Sequence, residues 1–85
     1  MKVKVLFFAS LREQLGVAHE EIELPSGITT VAGLRAHLSA RGAAYATALS
    51  EKNLIRMAVN QDMARPTASI KPGDEVAFFP PVTGG

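Results

Sequence analysis

Apolar and polar residues alternate from the second residue onward. Val3, Val5 and Phe7 fall on one side, and Lys2, Lys4 and Leu6 on the other. A period of two predicts a strand with one buried face. Ser10-Leu11-Arg12-Glu13 has the spacing of a capping box, which predicts a short helix that Gly16 stops. The two-residue period returns over 19–24, with Ile22 and Leu24 inward and Glu21 and Glu23 toward water. The first two strands therefore form a hairpin whose connection holds a helical turn. After the turn Pro25-Ser26-Gly27 the period lengthens. Val31, Leu34 and Leu38 recur at helical spacing behind a Thr30 N-cap, predicting the main helix over 31–41 with Gly42 at its end. Residues 43–49 predict a second, weaker helical piece.

The later half returns to strands. One is expected over 54–59, then a turn at Asn60-Gln61-Asp62 and a short strand near Met63 that Pro66 ends. Lys71-Pro72-Gly73-Asp74 carries proline and glycine in the central positions of a turn. The last strand is expected over 75–79, with Val76 and Phe78 on one face and Ala77 and Phe79 on the other. With an apolar strand at each end of the chain, those two are expected as the central pair of a mixed sheet, and the main helix covers one face. This is an α+β chain of β-grasp (ubiquitin-like) architecture, a single domain over 1–85. Its C-terminus extends a central strand.

The ending Phe78-Phe79-Pro80-Pro81-Val82-Thr83-Gly84-Gly85 carries the candidate chemistry. Two glycines pass a channel too narrow for a Cβ, and two prolines stiffen the root of the tail. Fully extended, residues 80–85 reach roughly 20 Å from the fold. They are expected to form a flexible arm whose reactive group is the α-carboxylate of Gly85.

Composition narrows the alternatives. The chain has 85 residues, 47% hydrophobic and 20% charged, as for an ordinary globular domain. A net charge of +1 gives no electrostatic case for nucleic acid. Without cysteine there is no disulfide, thiolate metal site or cysteine nucleophile. The first nine residues imitate a signal peptide, but their apolar run is short and Arg12-Glu13 follows without a cleavage pattern. No segment has the length of a membrane-spanning helix, and the cytoplasm is the expected location. His19 and His37 are isolated, and Asp74-Glu75 reads as turn and strand-edge polarity. Phe79, on the face away from the helix, is expected to share an apolar patch with Ala77, Leu6 and Met63. Arg12 is a candidate for a charged contact nearby.

Several stretches are similar to one family. Residues 74–85 resemble the C-terminal signature of the sulfur-carrier (small) subunits of molybdopterin synthase, and Val5-Leu6-Phe7-Phe8-Ala9 with Leu11-Arg12-Glu13 resembles their N-terminal one. Ala58-Val59-Asn60-Gln61 resembles a middle signature. The resemblance implies that Gly85 is adenylated by an ATP-using activating enzyme and converted to a thiocarboxylate by a persulfide donor. It implies that the arm then enters the large synthase subunit, in a 2+2 heterotetramer, and gives its sulfur to cyclic pyranopterin monophosphate to form the molybdopterin dithiolene. Gly84 would be the slim neighbour that fits the channel. Phe79, Pro80, Pro81, Val82, Thr83, Met63 and Arg12 would meet the partners. The chain would bind no cofactor or metal and would catalyse nothing alone. Alternatives with the same tail are a thiamine-type sulfur carrier and a ubiquitin-like modifier of lysines. A β-grasp binding module with an inert tail is a third.

Overall fold

A computed structural model describes residues 1–81. Of the expected arm, Pro80 and Pro81 are therefore described, while Val82, Thr83, Gly84 and Gly85 lie outside the described residues. The elements are β1 (Lys2–Phe7), α1 (Ala9–Leu15), β2 (His19–Glu23), α2 (Val31–Ser39), α3 (Ala43–Ala48), β3 (Arg56–Val59), β4 (Asp62–Ala64) and β5 (Glu75–Phe79). The strands form one sheet in the order β2-β1-β5-β3-β4. The strand nearest the C-terminus is thus the middle one. It pairs parallel with β1, bringing Phe7 opposite Phe78, and antiparallel with β3, bringing Met57 opposite Phe78.

One face of the sheet is dry because alternation delivers Val3, Val5, Phe7, Val76 and Phe78 to the same side, all essentially inaccessible to solvent. Val31, Leu34 and Leu38 of α2 join them in the core, together with Leu11 of α1 and Ala48 of α3. The Phe7 and Phe78 rings stack at 6.1 Å, and Tyr45 of α3 meets Phe7 edge-on at 6.4 Å. Thr30 caps α2 as its sequence predicts, its side-chain oxygen accepting from Gly33 N. Helix α3 is only six residues long and could not persist alone. Arg35 holds its end by donating to the Leu49, Ser50 and Asn53 carbonyls, and Asn53 Nδ2 donates to Thr47 and Ala48.

Three expectations are corrected. The first helix has no capping box. Phe8 remains extended and bonds Phe78 O, so the helix begins at Ala9, whose φ of 53° makes the bend, and Ser10 already lies inside the first turn. Helix α2 stops at Ser39 rather than residue 41, because Ala40 closes the last turn and Gly42 instead opens α3. The third strand starts at Arg56, two residues later than the apolar run suggests, and leaves Leu54 in a loop, 75% exposed.

Both turns around β5 follow their residues. Asn60 and Gln61, at φ 50° and 72°, make the two-residue hairpin turn between β3 and β4. Lys71-Pro72-Gly73-Asp74 is a type II turn, with Gly73 at φ 87° and Asp74 N donating to Lys71 O. Asn60 Nδ2 donates to Asp74 Oδ1, and Lys71 N donates to Asp74 Oδ2. The Asn60 bond, aided by that from Lys71 N, favours the charged carboxylate and holds its pKa below the ordinary 3.8. A depressed folded value means that Asp74 stabilises the fold above the unfolded pKa and loses this contribution as pH falls through the folded one. Carbon NMR of the side-chain carboxyl should show Asp74 titrating below 3.8 in the native chain and closer to it in Asn60→Ala. An unchanged titration in that variant would remove the Asn60 bond as the cause.

Candidate docking face

The sheet face opposite the helices carries the alternate residues. Cross-strand register sets His19, Leu6, Ala77, Ala58 and Met63 side by side in one row from β2 to β4. A second row lies nearer the exit of the chain, where Phe79 stands opposite Arg56. Phe8 adjoins it, since its extended backbone continues the alternation of β1 and its N–H bonds Phe78 O. Ala58 and Ala77 are each only 8% exposed, so they form the floor of a shallow trough between longer neighbours. At its rim Phe8 is 45% exposed and Met63 61%, while Leu6 and Phe79 are half-buried.

Polarity changes along the strands. Toward the other end the same face carries Lys2 opposite Glu23, and Lys4 between Glu21 and Glu75. The apolar end is therefore the end from which the C-terminus leaves. Pro80 lies there in a cleft of about 310 Å³ beside Leu11, Gln14, Leu54 and Ile55.

The expected patch of Phe79, Ala77, Leu6 and Met63 is thus assembled, with Phe79 outside the buried core. Arg12 lies on α1, outside the strands that build this patch. It is exposed, and among the described residues its side chain makes no hydrogen bond or ion pair. Sequence reading did not single out Phe8, Arg56 or Leu54 as candidate site residues. Of these, Phe8 is the one the sequence signals, because Phe7-Phe8 must place one ring on each face of a strand. Among the described residues, no group of three or more Asp, Glu or His is placed to hold a metal ion. Among the same residues, no buried side-chain polar atom lacks a partner.

Comparison with known proteins gives this arrangement a family. The model of the ThiS family matches residues 5–85. A molybdopterin synthase sulfur carrier subunit from Haemophilus influenzae is 45% identical over 83 residues, covering 98% of this chain and 99% of that protein. The chain belongs to the ThiS family. Among solved structures, a Pyrococcus furiosus protein provisionally assigned as molybdopterin converting factor subunit 1 superposes with a TM-score of 0.79 at 34% identity, over 96% of this chain and 99% of that one. SAMP1 from Haloferax volcanii does so at 0.77 and 26% identity, over the whole of both chains. The complex of subunits 1 and 2 of the Helicobacter pylori molybdopterin-converting factor contains a chain similar at 0.66 and 25% identity, again over both chains in full. The β-grasp fold expected from the sequence is the fold of these proteins.

The two faces predict different costs for two adjacent phenylalanines. Phe78→Ala should destabilise by ~3–5 kcal/mol, the usual loss for a buried ring, and Phe79→Ala by distinctly less. Denaturant unfolding measures both. Equal losses would place Phe79 in the core and remove it from the docking face.

Proposed function

We propose that this chain is the sulfur-carrying subunit of a molybdopterin synthase and that Gly85 is its reactive site. The observation that supports this best is positional. The middle strand β5 leads through Phe79, Pro80 and Pro81 toward Gly84 and Gly85, and the one apolar end of the open sheet face surrounds its exit. A partner that covers Phe8, Phe79 and Met63 thereby receives the arm in a fixed direction. The named complex of the Helicobacter pylori subunits supports a large-subunit partner of this kind.

The chemistry follows from the terminal carboxyl. With a pKa of about 3.3–3.7 it is an anion at neutral pH and a poor electrophile. An activating enzyme joins it to the α-phosphate of ATP and releases pyrophosphate, giving an acyl-adenylate. The terminal sulfur of a protein persulfide attacks the carbonyl carbon and expels AMP. Cleavage of the remaining S–S bond by a thiol leaves a thiocarboxylate on Gly85. That sulfur is a nucleophile, which the arm presents to cyclic pyranopterin monophosphate inside the large subunit. Hydrolysis of the acyl group afterwards restores the carboxylate. The two sulfurs of a dithiolene require two carriers, used in turn or as a 2+2 assembly. Within this scheme Gly84 keeps the channel clear of a Cβ, and Pro80, Pro81, Val82 and Thr83 line the arm.

The likeness to SAMP1, a small archaeal modifier protein, favours a second reading in which the activated Gly85 is passed to a lysine amine. Isopeptide-linked adducts in cell extracts would support it.

Deleting Gly85, or adding one residue after it, should abolish sulfur delivery without changing the fold. The shorter arm withdraws the carbonyl carbon by about 3.3–3.6 Å, and misplacement by ~1 Å already costs ~100-fold. The longer one locks the former carboxylate into a peptide bond. Molybdopterin formation in vitro beside a melting curve is the check. Normal product from the truncated chain would return the protein to the binding-module reading.

A further inference from the structure

Where β3 ends, the ladder to β5 is continued by a side chain. The last backbone pair of the register is Val59 with Val76. The next pair would be Asn60 with Glu75, and Asn60 N does donate to Glu75 O at 2.8 Å. The return bond differs: Glu75 N donates to Asn60 Oδ1 at 3.0 Å. The Asn60 amide thus fills the place that a backbone carbonyl takes in a regular ladder, at the residue where the chain turns toward β4. Its Nδ2 donates to Asp74 Oδ1 at 3.1 Å, and Asp74 Oδ2 accepts from Lys71 N at 2.8 Å. The turn is tied to β1 as well, by Gly73 N to Lys2 O and Lys4 N to Asp74 O.

We infer that Asn60 and Asp74 are positioning residues for sulfur delivery, clamping the start of β5 and so fixing how far Gly85 stands from the fold. This rests on the reading of Gly85 as the sulfur site. Alternation alone does not set that distance. A slip of β5 by one residue turns Val76 and Phe78 outward, and a slip by two that lengthens the arm would bury Asp74, but a slip by two that shortens it sets Phe78 and Pro80, both apolar, toward the core. Such a slip moves the chain end by about 6.6–6.8 Å. Any residue could offer the backbone groups of Glu75, but the side-chain bond from Asn60 Nδ2 to Asp74 Oδ1 needs Asp74 beside the turn and therefore selects one register. Asn60 also suits its conformation, since asparagine and aspartate tolerate the left-handed region better than most residues.

The test exchanges the two groups. Asn60→Asp keeps an acceptor for Glu75 N but sets a carboxylate against Asp74. The double variant N60D/D74N restores an amide facing a carboxylate, with an acceptor left for Lys71 N. Each full-length variant is loaded by the activating enzyme and mixed with saturating large subunit for single-turnover sulfur delivery. Affinity for that subunit and exchange of the Glu75 and Ala77 amides are measured alongside. N60D should slow delivery about tenfold or more, a fraction of the ~100-fold that ~1 Å of misplacement can cost, with partner affinity little changed. It should also accelerate exchange of both amides, and N60D/D74N should recover the rate and the protection. Should N60D melt below the assay temperature, Asn60→Ser removes the clamp without adding charge and should show the same loss. Wild-type delivery by N60D, or a double variant no better than its worse parent, would overturn the inference. If the native chain delivers no sulfur at all, the proposed function fails, while the amide exchange series still decides whether the pair clamps β5.

Discussion

The parallel pairing of β1 with β5 is the constraint on which the rest depends. It joins the two ends of the sequence, stacks Phe7 on Phe78 and makes the last strand the middle of the sheet. A strand held on both sides cannot be drawn out by a partner as an edge strand could. Force or binding at the exit is resisted by the hydrogen bonds to β1 and β3 together. Parallel neighbours need a long crossover, and the hairpin partner β2, the helices and the β3–β4 hairpin all lie between them in sequence. The helices then have a single face to cover, and the other is left open.

That asymmetry leaves one face of the sheet uncovered by the helices. Val76 and Phe78 anchor the strand from below, while Ala77 and Phe79 belong to the upper face. Alanine at 58 and 77 keeps the centre of this face low, and Phe8, Phe79 and Met63 stand around it. Charged residues occupy the opposite end, where Lys2 and Lys4 are interleaved with glutamates. A partner with an apolar ridge meets a desolvated centre and a polar border, the arrangement of a specific protein interface. Strand β5 thus contributes Ala77 and Phe79 to this face and is the last strand before the C-terminal residues proposed to carry the chemistry.

Much of this was legible in the residues. Strands β1, β2 and β5 each carry a clean two-residue period, and α2 its stripe at 31, 34 and 38, so both faces could be assigned. The two turns announced themselves through Asn60-Gln61 and Pro72-Gly73. Local signals misled where tertiary pairing decided the outcome. Ser10 has the spacing of a cap, but the extended Phe8 is bound to β5 and the helix starts before the serine can serve. Leu54 continues an apolar run, yet β5 ends opposite Arg56 and offers it no partner. Asp74 read as turn polarity, because nothing in its neighbourhood points to an asparagine fourteen residues earlier. The cross-strand position of Arg56 beside Phe79 likewise depends on register, which a single sequence does not state.

The central claim is that the carboxyl of Gly85 is the atom that carries sulfur, and intact mass spectrometry addresses it directly. The full-length chain is incubated with ATP, the activating enzyme and a persulfide sulfur source. A mass gain equal to replacing one oxygen by one sulfur is expected, located on the C-terminal peptide and dependent on ATP. An unchanged mass under conditions that convert a related carrier, or a sulfur located on any other peptide, would contradict it.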